Sequence, residues 1–384
     1  MTLDVERGPE KDLRFLDIST KYKSNFVRGH LLAFHTSLMR AAIGKGYTFR
    51  IAAVAGRVAV GDDHVAVRFR DQTWETVASE TENFLRSQER TVCIVYEGSL
   101  AAVGAFKQVA RRSPEHIFII NLFLNEIASE AASKGSLRRE DSSTNDELIH
   151  DFPGNLCLTA DTQRRALIGR SLGLPIVGTW PHHTSLDTSL DPVEPQRGRV
   201  AITAAEWQLR NNRETVTDIN VALGCSRARA GQLQFKLIGS VPQKSRGELI
   251  DRYRHLRSLD GALDAPLSAS DYASAIGQAS LVWLPTQGVY GDQSSGKALD
   301  ALVMGRPLLA PAGTFGQQEQ ERFVPGAPTY RNRSELLELL DVLPVLLPRW
   351  SDETAAARSE AIRRYSPDRS IDVLLAHALE CGQP

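Results

Sequence analysis

Long apolar runs are missing from this 384-residue chain. No stretch approaches the about 18 consecutive apolar residues that a bilayer-crossing helix needs. The opening MTLDVERGPEKDLRF also has no apolar core of the signal-peptide kind. A cytoplasmic location is therefore expected. Charge excess is missing too. The 45 Lys and Arg stand against 46 Asp and Glu, a formal net charge of -1, so no overall field draws the molecule onto nucleic acid. Cysteine is scarce. Cys93, Cys157, Cys225 and Cys381 form no C-x-x-C pair and have no histidine at ligand spacing. That argues against a structural zinc site and a disulfide framework, and fits a reducing compartment. No G-x-G-x-x-G follows a strand-like run, and Gly56 and Gly61 in VAGRVAVGDD are wrongly spaced for one, which disfavours an NAD-dependent dehydrogenase. Repeats and low-complexity tracts are absent as well.

What is present is the composition of a folded globular protein: 42% hydrophobic and 24% charged residues, in a chain long enough for two domains. Strand-like runs alternate with helical patterns throughout, the order of parallel sheets covered by helices, so the predicted class is α/β. Strands are predicted at Arg14 to Ile18, Phe49 to Ala55, Thr91 to Glu97, His116 to Phe123, Asn155 to Thr159 and Pro175 to Trp180. A second series falls at Arg199 to Thr203, Leu233 to Gly239, Leu281 to Pro285 and Pro307 to Pro311. Leu32, His35, Leu38, Met39 and Ile43 recur at spacings of three and four, giving a sheet-covering helix over Leu31 to Gly46. Similar patterns predict helices at Trp74 to Ser87, Leu100 to Ala110, Gln163 to Leu172, Arg213 to Leu223, Arg246 to Leu256, Ala269 to Ala279 and Ser295 to Met304. Ser136 to Asn145 reads as a surface loop, and the chain after Ser334 as almost wholly helical. Ser, Asp, Pro and Gly crowd together at Thr184 to Arg199, as in a connection between domains. Two open α/β sheets bind ligands beyond the carboxyl ends of their strands, so the site is expected in a cleft between the halves.

The most informative segment is SLVWLPTQGVYGDQSSGKALDALVMGRPLLAPAG, where a buried strand enters a polar loop and then a helix. Ser294, Ser295 and Gly296 would start that helix with free backbone N–H groups and the positive end of its dipole facing an anion such as a phosphate. Asp300 follows Lys297 by three residues and Gly296 by four. There it could accept hydrogen bonds from vicinal hydroxyls such as those of a ribose. Caps alone would explain the serines, but Asp292 in the loop and Asp300 in the helix are hard to explain jointly as caps. GDQSSGKA also satisfies G-x-x-x-x-G-K. It lacks the following Ser or Thr hydroxyl that ligates Mg²⁺, and no acid ends the next strand, so a P-loop is the weaker reading.

This segment resembles the donor-binding region of retaining GT-B glycosyltransferases of family 4. There two acids with seven residues between them precede a small residue, any residue, Gly, any residue and Pro. Asp292, Asp300 and ALVMGRPLL keep that spacing, with Asp in both acidic places. The resemblance implies a GT-B fold of two Rossmann-like domains facing across a cleft. It assigns residues 1–190 to an amino-terminal acceptor-side domain and 191–365 to a nucleotide-sugar domain, with a helix over 366–384 crossing back to the first. It implies that Asp300 binds the nucleotide ribose, that Asp292 contacts the donor sugar, and that Tyr290 with Ser294, Ser295, Gly296 and Lys297 belongs to the donor loop. LGLPIVGTWPHHTS resembles the strand that ends in a threonine and a histidine beside the donor, which maps to His183 or to His182. Arg213 and Arg210 stand nearest to the family's diphosphate-binding cations. In KYKSNFVRGH, Gly29 and His30 are acceptor-side candidates, with Lys23 and Arg28 beside them.

The implied activity is a metal-independent, retaining hexosyltransferase that uses no cofactor. It would carry a sugar from a nucleotide diphosphate sugar to a hydroxyl of a glycan or glycolipid in a bacterial surface polysaccharide. A nucleotide-sugar 2-epimerase of the same fold and a catalytically degenerate nucleotide-sugar-binding protein are the alternatives. Arg358 to Arg369 could touch anionic lipid at the inner face of the cell membrane, but a solvated basic face is the stronger reading.

Overall fold

The computed structural model describes residues 13–19, 30–54, 64–122, 151–184, 186–188, 193–204, 212–238, 267–287, 291 and 294–381. The chain divides into two compact units. One holds Met1–His182 and Pro367–Pro384, the other His183–Ser366. Among the described residues no helix is long and apolar enough to cross a membrane.

In the first unit, strands β1 (Arg14–Ser19), β2 (Thr48–Val54), β3 (Val65–Phe69), β4 (Thr91–Gly98), β5 (Ile117–Leu122), β6 (Leu156–Ala160) and β7 (Ile176–Thr179) form one sheet. Its order is β3-β2-β1-β4-β5-β6-β7, and each neighbouring pair is parallel. Parallel strands are covered on both faces and so read as continuous apolar runs. IFIINL of β5 and LCLTA of β6 are buried at every position. Alternation then divides the side chains. Leu16, Ile18, Val95, Phe118, Ile120 and Leu158 pack with Val77, Val103 and Phe106 of helices α2 (Trp74–Leu85) and α3 (Leu100–Arg112). Phe15, Ile51, Ile94, Ile119 and Cys157 face Phe34, Leu38 and Met39 of α1 (His30–Gly44) on the other side. Helix α4 (Gln163–Ser171) links β6 to β7.

The second unit has a four-stranded parallel sheet built from β8 (Gln196–Ile202), β9 (Gln234–Leu237), β10 (Ala279–Trp283) and β11 (Leu308–Leu309), in the order β11-β10-β8-β9. Val200, Ile202, Leu281 and Trp283 pack against Val216, Ile219 and Leu223 of α5 (Arg213–Leu223). A short α6 (Ser226–Arg229) follows that helix. Ala201, Val282 and Leu284 meet Ala275 and Ile276 of α7 (Ala269–Gly277) and Leu299, Leu302 and Val303 of α8 (Gly296–Val303). Helices α9 (Phe315–Phe323) and α10 (Arg333–Arg364) complete the unit.

Helix α11 (Pro367–Cys381) returns to the first unit. Ile371, Leu374 and Ala378 are buried in the same cluster as α1. Lys45 Nζ reaches Asp372 at 2.6 Å, and Ser370 Oγ donates to the Pro181 carbonyl at 3.1 Å. The approach is close: a Cβ on Gly178 in β7 would lie 2.8 Å from His377 Cε1, so the ring would have to shift to admit it.

Three elements went unread in the sequence. β3 is a partly exposed edge strand with a single fully buried residue, so its apolar pattern is weak. α6 is a single turn. α9 is mostly polar and buries Glu319 and Gln320. The Tyr365 hydroxyl donates to Glu319, and Gln320 Oε1 accepts from the Leu308 N–H at 2.7 Å. The helix predicted at Arg246 to Leu256 and the loop at Ser136 to Asn145 lie outside the described residues. The absence of cysteine pairing needs correction: Cys157 and Cys381 are disulfide-bonded, with their Cα atoms 6.1 Å apart across 224 residues of sequence. Linear spacing could not show this, because the packing of α11 beside β6 creates the pair. Cys93 and Cys225 are buried thiols. The non-reduced protein, denatured and alkylated, should therefore take up two alkyl groups by mass, and four after reduction.

Candidate functional site

In the second unit, β8 and β10 each lead on to a helix. These strands are parallel neighbours, so α5 and α8, which follow them in sequence, begin at the same edge of the sheet. Open α/β sheets bind ligands at that edge.

The two helix starts differ. Asn212 caps α5, its side chain accepting from the Thr215 N–H at 3.1 Å. Its amide Nδ2 donates to the Gln287 carbonyl at 3.0 Å, and Thr215 Oγ1 donates to the Pro285 carbonyl at 3.0 Å. The start of α5 is thereby fastened to the segment leaving β10, and Arg213, exposed at the first helical position, stands beside it. Ser295 precedes α8 in extended conformation but makes no side-chain capping bond. The preceding residues of α2, α3, α4, α5, α7, α9 and α10 all make one. The amino end of α8 thus keeps N–H groups available to an external acceptor. Gly296 is exposed there, while Ser294, Ser295 and Lys297 are half-buried. Burial lowers the Lys297 ammonium to about 8, and the Asp300 carboxylate pulls in the opposite direction.

Asp300 has no exposed surface. Its Oδ1 accepts from Thr184 Oγ1 at 2.6 Å and its Oδ2 from the Tyr272 hydroxyl at 2.9 Å. Burial and the adjoining Asp300 charge hold the Tyr272 phenol well above its usual range. Each oxygen could accept a second hydrogen bond, but Asp300 has no exposed surface through which a ribose hydroxyl would reach it. His183 is 2% exposed and immediately precedes Thr184.

A second buried carboxylate lies under the segment after β10. Asp218 of α5 accepts from Gln287 Nε2 and from Arg333 Nε, the latter at 3.1 Å. Burial nevertheless pushes its carboxyl up to about 6. Trp283 Nε1 donates to the Tyr330 hydroxyl at 3.1 Å in the same region.

The residues predicted from sequence divide accordingly. Ser294, Ser295, Gly296, Lys297 and Asp300 share the start of α8, with His183 next to the partner of Asp300, and Arg213 at the start of α5. Tyr290, Asp292, Arg210, Gly29, Lys23 and Arg28 lie outside the described residues, and His30 is the first residue of α1. His182 belongs to the first unit, where its Nε2–H donates to the Asp161 carbonyl and burial lowers the ring to about 4. At neutral pH it is therefore an uncharged imidazole. Thr184, Tyr272, Asn212, Asp218 and Gln287 were not foreseen. Only the capping pattern of Asn212 before α5 could have been read locally.

At the level of sequence no family model matches the chain and no curated protein matches it. Solved structures do. Sucrose-phosphate synthase from Thermosynechococcus elongatus superposes with a TM-score of 0.65 at 13% identity, covering 97% of this chain and 98% of that one. The catalytic domain of starch synthase IV from Arabidopsis thaliana, bound to ADP and acarbose, gives 0.64 at 12% identity, covering 97% and 100%. Anabaena HepE in complex with UDP-glucose gives 0.60 at 9% identity, covering 94% and 98%. The chain has the GT-B fold of these glycosyltransferases.

The depressed pKa of His182 gives a signed prediction. The unfolded imidazole takes its proton near pH 6.5 and the folded one only near 4, so this group removes stability as pH falls through that window. Between pH 7.5 and pH 5, the drop in melting temperature should be smaller in His182→Gln than in the parent protein.

Proposed function

We propose that the protein is a glycosyltransferase that moves a hexose from a nucleotide diphosphate sugar to an acceptor hydroxyl. The observation that carries this reading is the uncapped amino end of α8 with Lys297 beside it, at the edge of β10, in a fold shared with sugar-transferring enzymes. Transfer leaves negative charge on the departing diphosphate. Preorganised amides at Ser295 to Lys297, the Lys297 ammonium and the Arg213 guanidinium would receive that charge, without a metal. Starch synthase IV and HepE have been solved with ADP and UDP-glucose, and those two nucleotides are the first donors to try here.

The finer parts of the proposal come from the resemblance. Asp292 and Tyr290 would meet the donor sugar and its loop. His183 would polarise or position the sugar near the reacting carbon. The acceptor hydroxyl would attack from the face the diphosphate leaves, through an oxocarbenium-like species, so the anomeric configuration is retained. His30, Gly29 and His182 would lie on the acceptor side. The acceptor would be a glycan or glycolipid of a bacterial surface polysaccharide, met in the cytoplasm or at the inner membrane face.

A thermal-shift screen with UDP-, GDP-, ADP- and dTDP-sugars tests the reading, since a ligand of the folded state raises the melting temperature. One nucleotide-sugar series should stabilise the protein and support transfer in EDTA. Stabilisation by ATP with Mg²⁺ alone would restore the P-loop reading, and acceptor-independent change at C2 of the sugar would indicate an epimerase. His183→Ala should lower kcat by roughly 100-fold, a typical loss for a group acting at the reacting centre, with nucleotide binding kept. Lys297 is charged below about pH 8, and a diphosphate binds that form. Affinity for UDP or ADP should therefore fall as pH rises through 8, and Lys297→Gln should flatten the profile.

A further inference from the structure

Asp300 has an occupation that its place in the sequence does not suggest. Its two oxygens take hydroxyls from separate segments of the second unit, Thr184 before β8 and Tyr272 on α7. Thr184 is itself fixed through both its backbone and its side chain. Its N–H donates to the Tyr365 carbonyl at 3.0 Å, and its Oγ1 accepts from the Leu186 N–H at 3.1 Å. Thr184 and Asp300 are 1% and 0% exposed, so water cannot replace a lost donor cheaply. His183 therefore adjoins a residue tied to α8 through a dry, charge-assisted hydrogen bond, the kind that holds geometry most firmly.

We propose that Asp300 is an anchor whose clasp on Thr184 and Tyr272 sets the position of His183 relative to the open amino end of α8. Thr184 and Tyr272 are then positioning residues. The clasp belongs to the folded unit alone, while its consequence for turnover rests on the glycosyltransferase reading.

The two parts are tested separately. Thr184→Val keeps the shape of the side chain and removes the donor, Thr184→Ser restores a donor, and Tyr272→Phe removes only the hydroxyl. Hydrogen exchange followed by mass spectrometry on the unliganded proteins should show peptides over 183–188 and the first turn of α8 exchanging at least about tenfold faster in Thr184→Val and Tyr272→Phe. Thr184→Ser should match the parent, and the sheet of the first unit should be unchanged in all three. With UDP or ADP as the binding probe, Kd should stay within about twofold in Thr184→Val. Its kcat, measured with the matching sugar donor, should fall by about tenfold or more and recover in Thr184→Ser. Unchanged exchange over 183–188 overturns the clasp. A tenfold loss of nucleotide affinity with kcat intact overturns the positioning role and returns Asp300 to the ribose. If the parent protein transfers no sugar, the glycosyltransferase reading fails and the exchange experiment still decides the clasp.

Discussion

A carboxylate removed from water must be given hydrogen bonds, and in the second unit that requirement falls on Asp300. An isolated buried charge is expensive, and the protein meets the cost with the hydroxyls of Thr184 and Tyr272. Each donor is delivered by a different part of the chain. Thr184 comes from the segment that enters the unit, Tyr272 from a helix on the face of the sheet, and Asp300 from the helix after β10. One satisfied side chain thereby fixes three pieces of backbone against each other. The start of α8 and the surroundings of Lys297 inherit their positions from it. Asp218 repeats the device with Gln287 and Arg333, beneath the segment that leads toward α8. Two buried acids, on helices packed against opposite faces of the sheet, are each held by side chains from other segments.

Much of the fold was legible because parallel strands buried on both faces leave unbroken apolar runs. The helix predicted at Arg213 to Leu223 has those bounds in the structure, where Asn212 caps it and Gly224 ends it through contacts with their immediate neighbours. β3 and α9 were missed for a common reason. Each exposes or buries polar residues against the usual pattern, and α9 is held in place by Glu319 and Gln320, whose partners are distant in sequence. The candidate site divides in the same way between local and distant signals. The serines, glycine and lysine at the start of α8 form a polar run before an amphipathic helix, a pattern that acts through local chemistry. The burial of Asp300, the neutrality of His182 and the Cys157–Cys381 bond depend on which segments fold over them, and no local spacing encodes that.

The first unit is discontinuous: residues up to His182 need Pro367–Pro384 to complete them, and everything between belongs to the second unit. Synthesis on the ribosome runs in one direction, and domains form as their segments emerge. The second unit therefore has its whole sequence available first, although it is encoded later. Until Ile371, Leu374 and Ala378 arrive, the α1 side of the large sheet lacks one apolar wall. The nascent chain must carry that uncovered surface through the translation of 184 intervening residues, from His183 to Ser366. The part begun first is thus the last to be finished, and the interval during which it is vulnerable to chaperones and proteases is set by the length of the insertion.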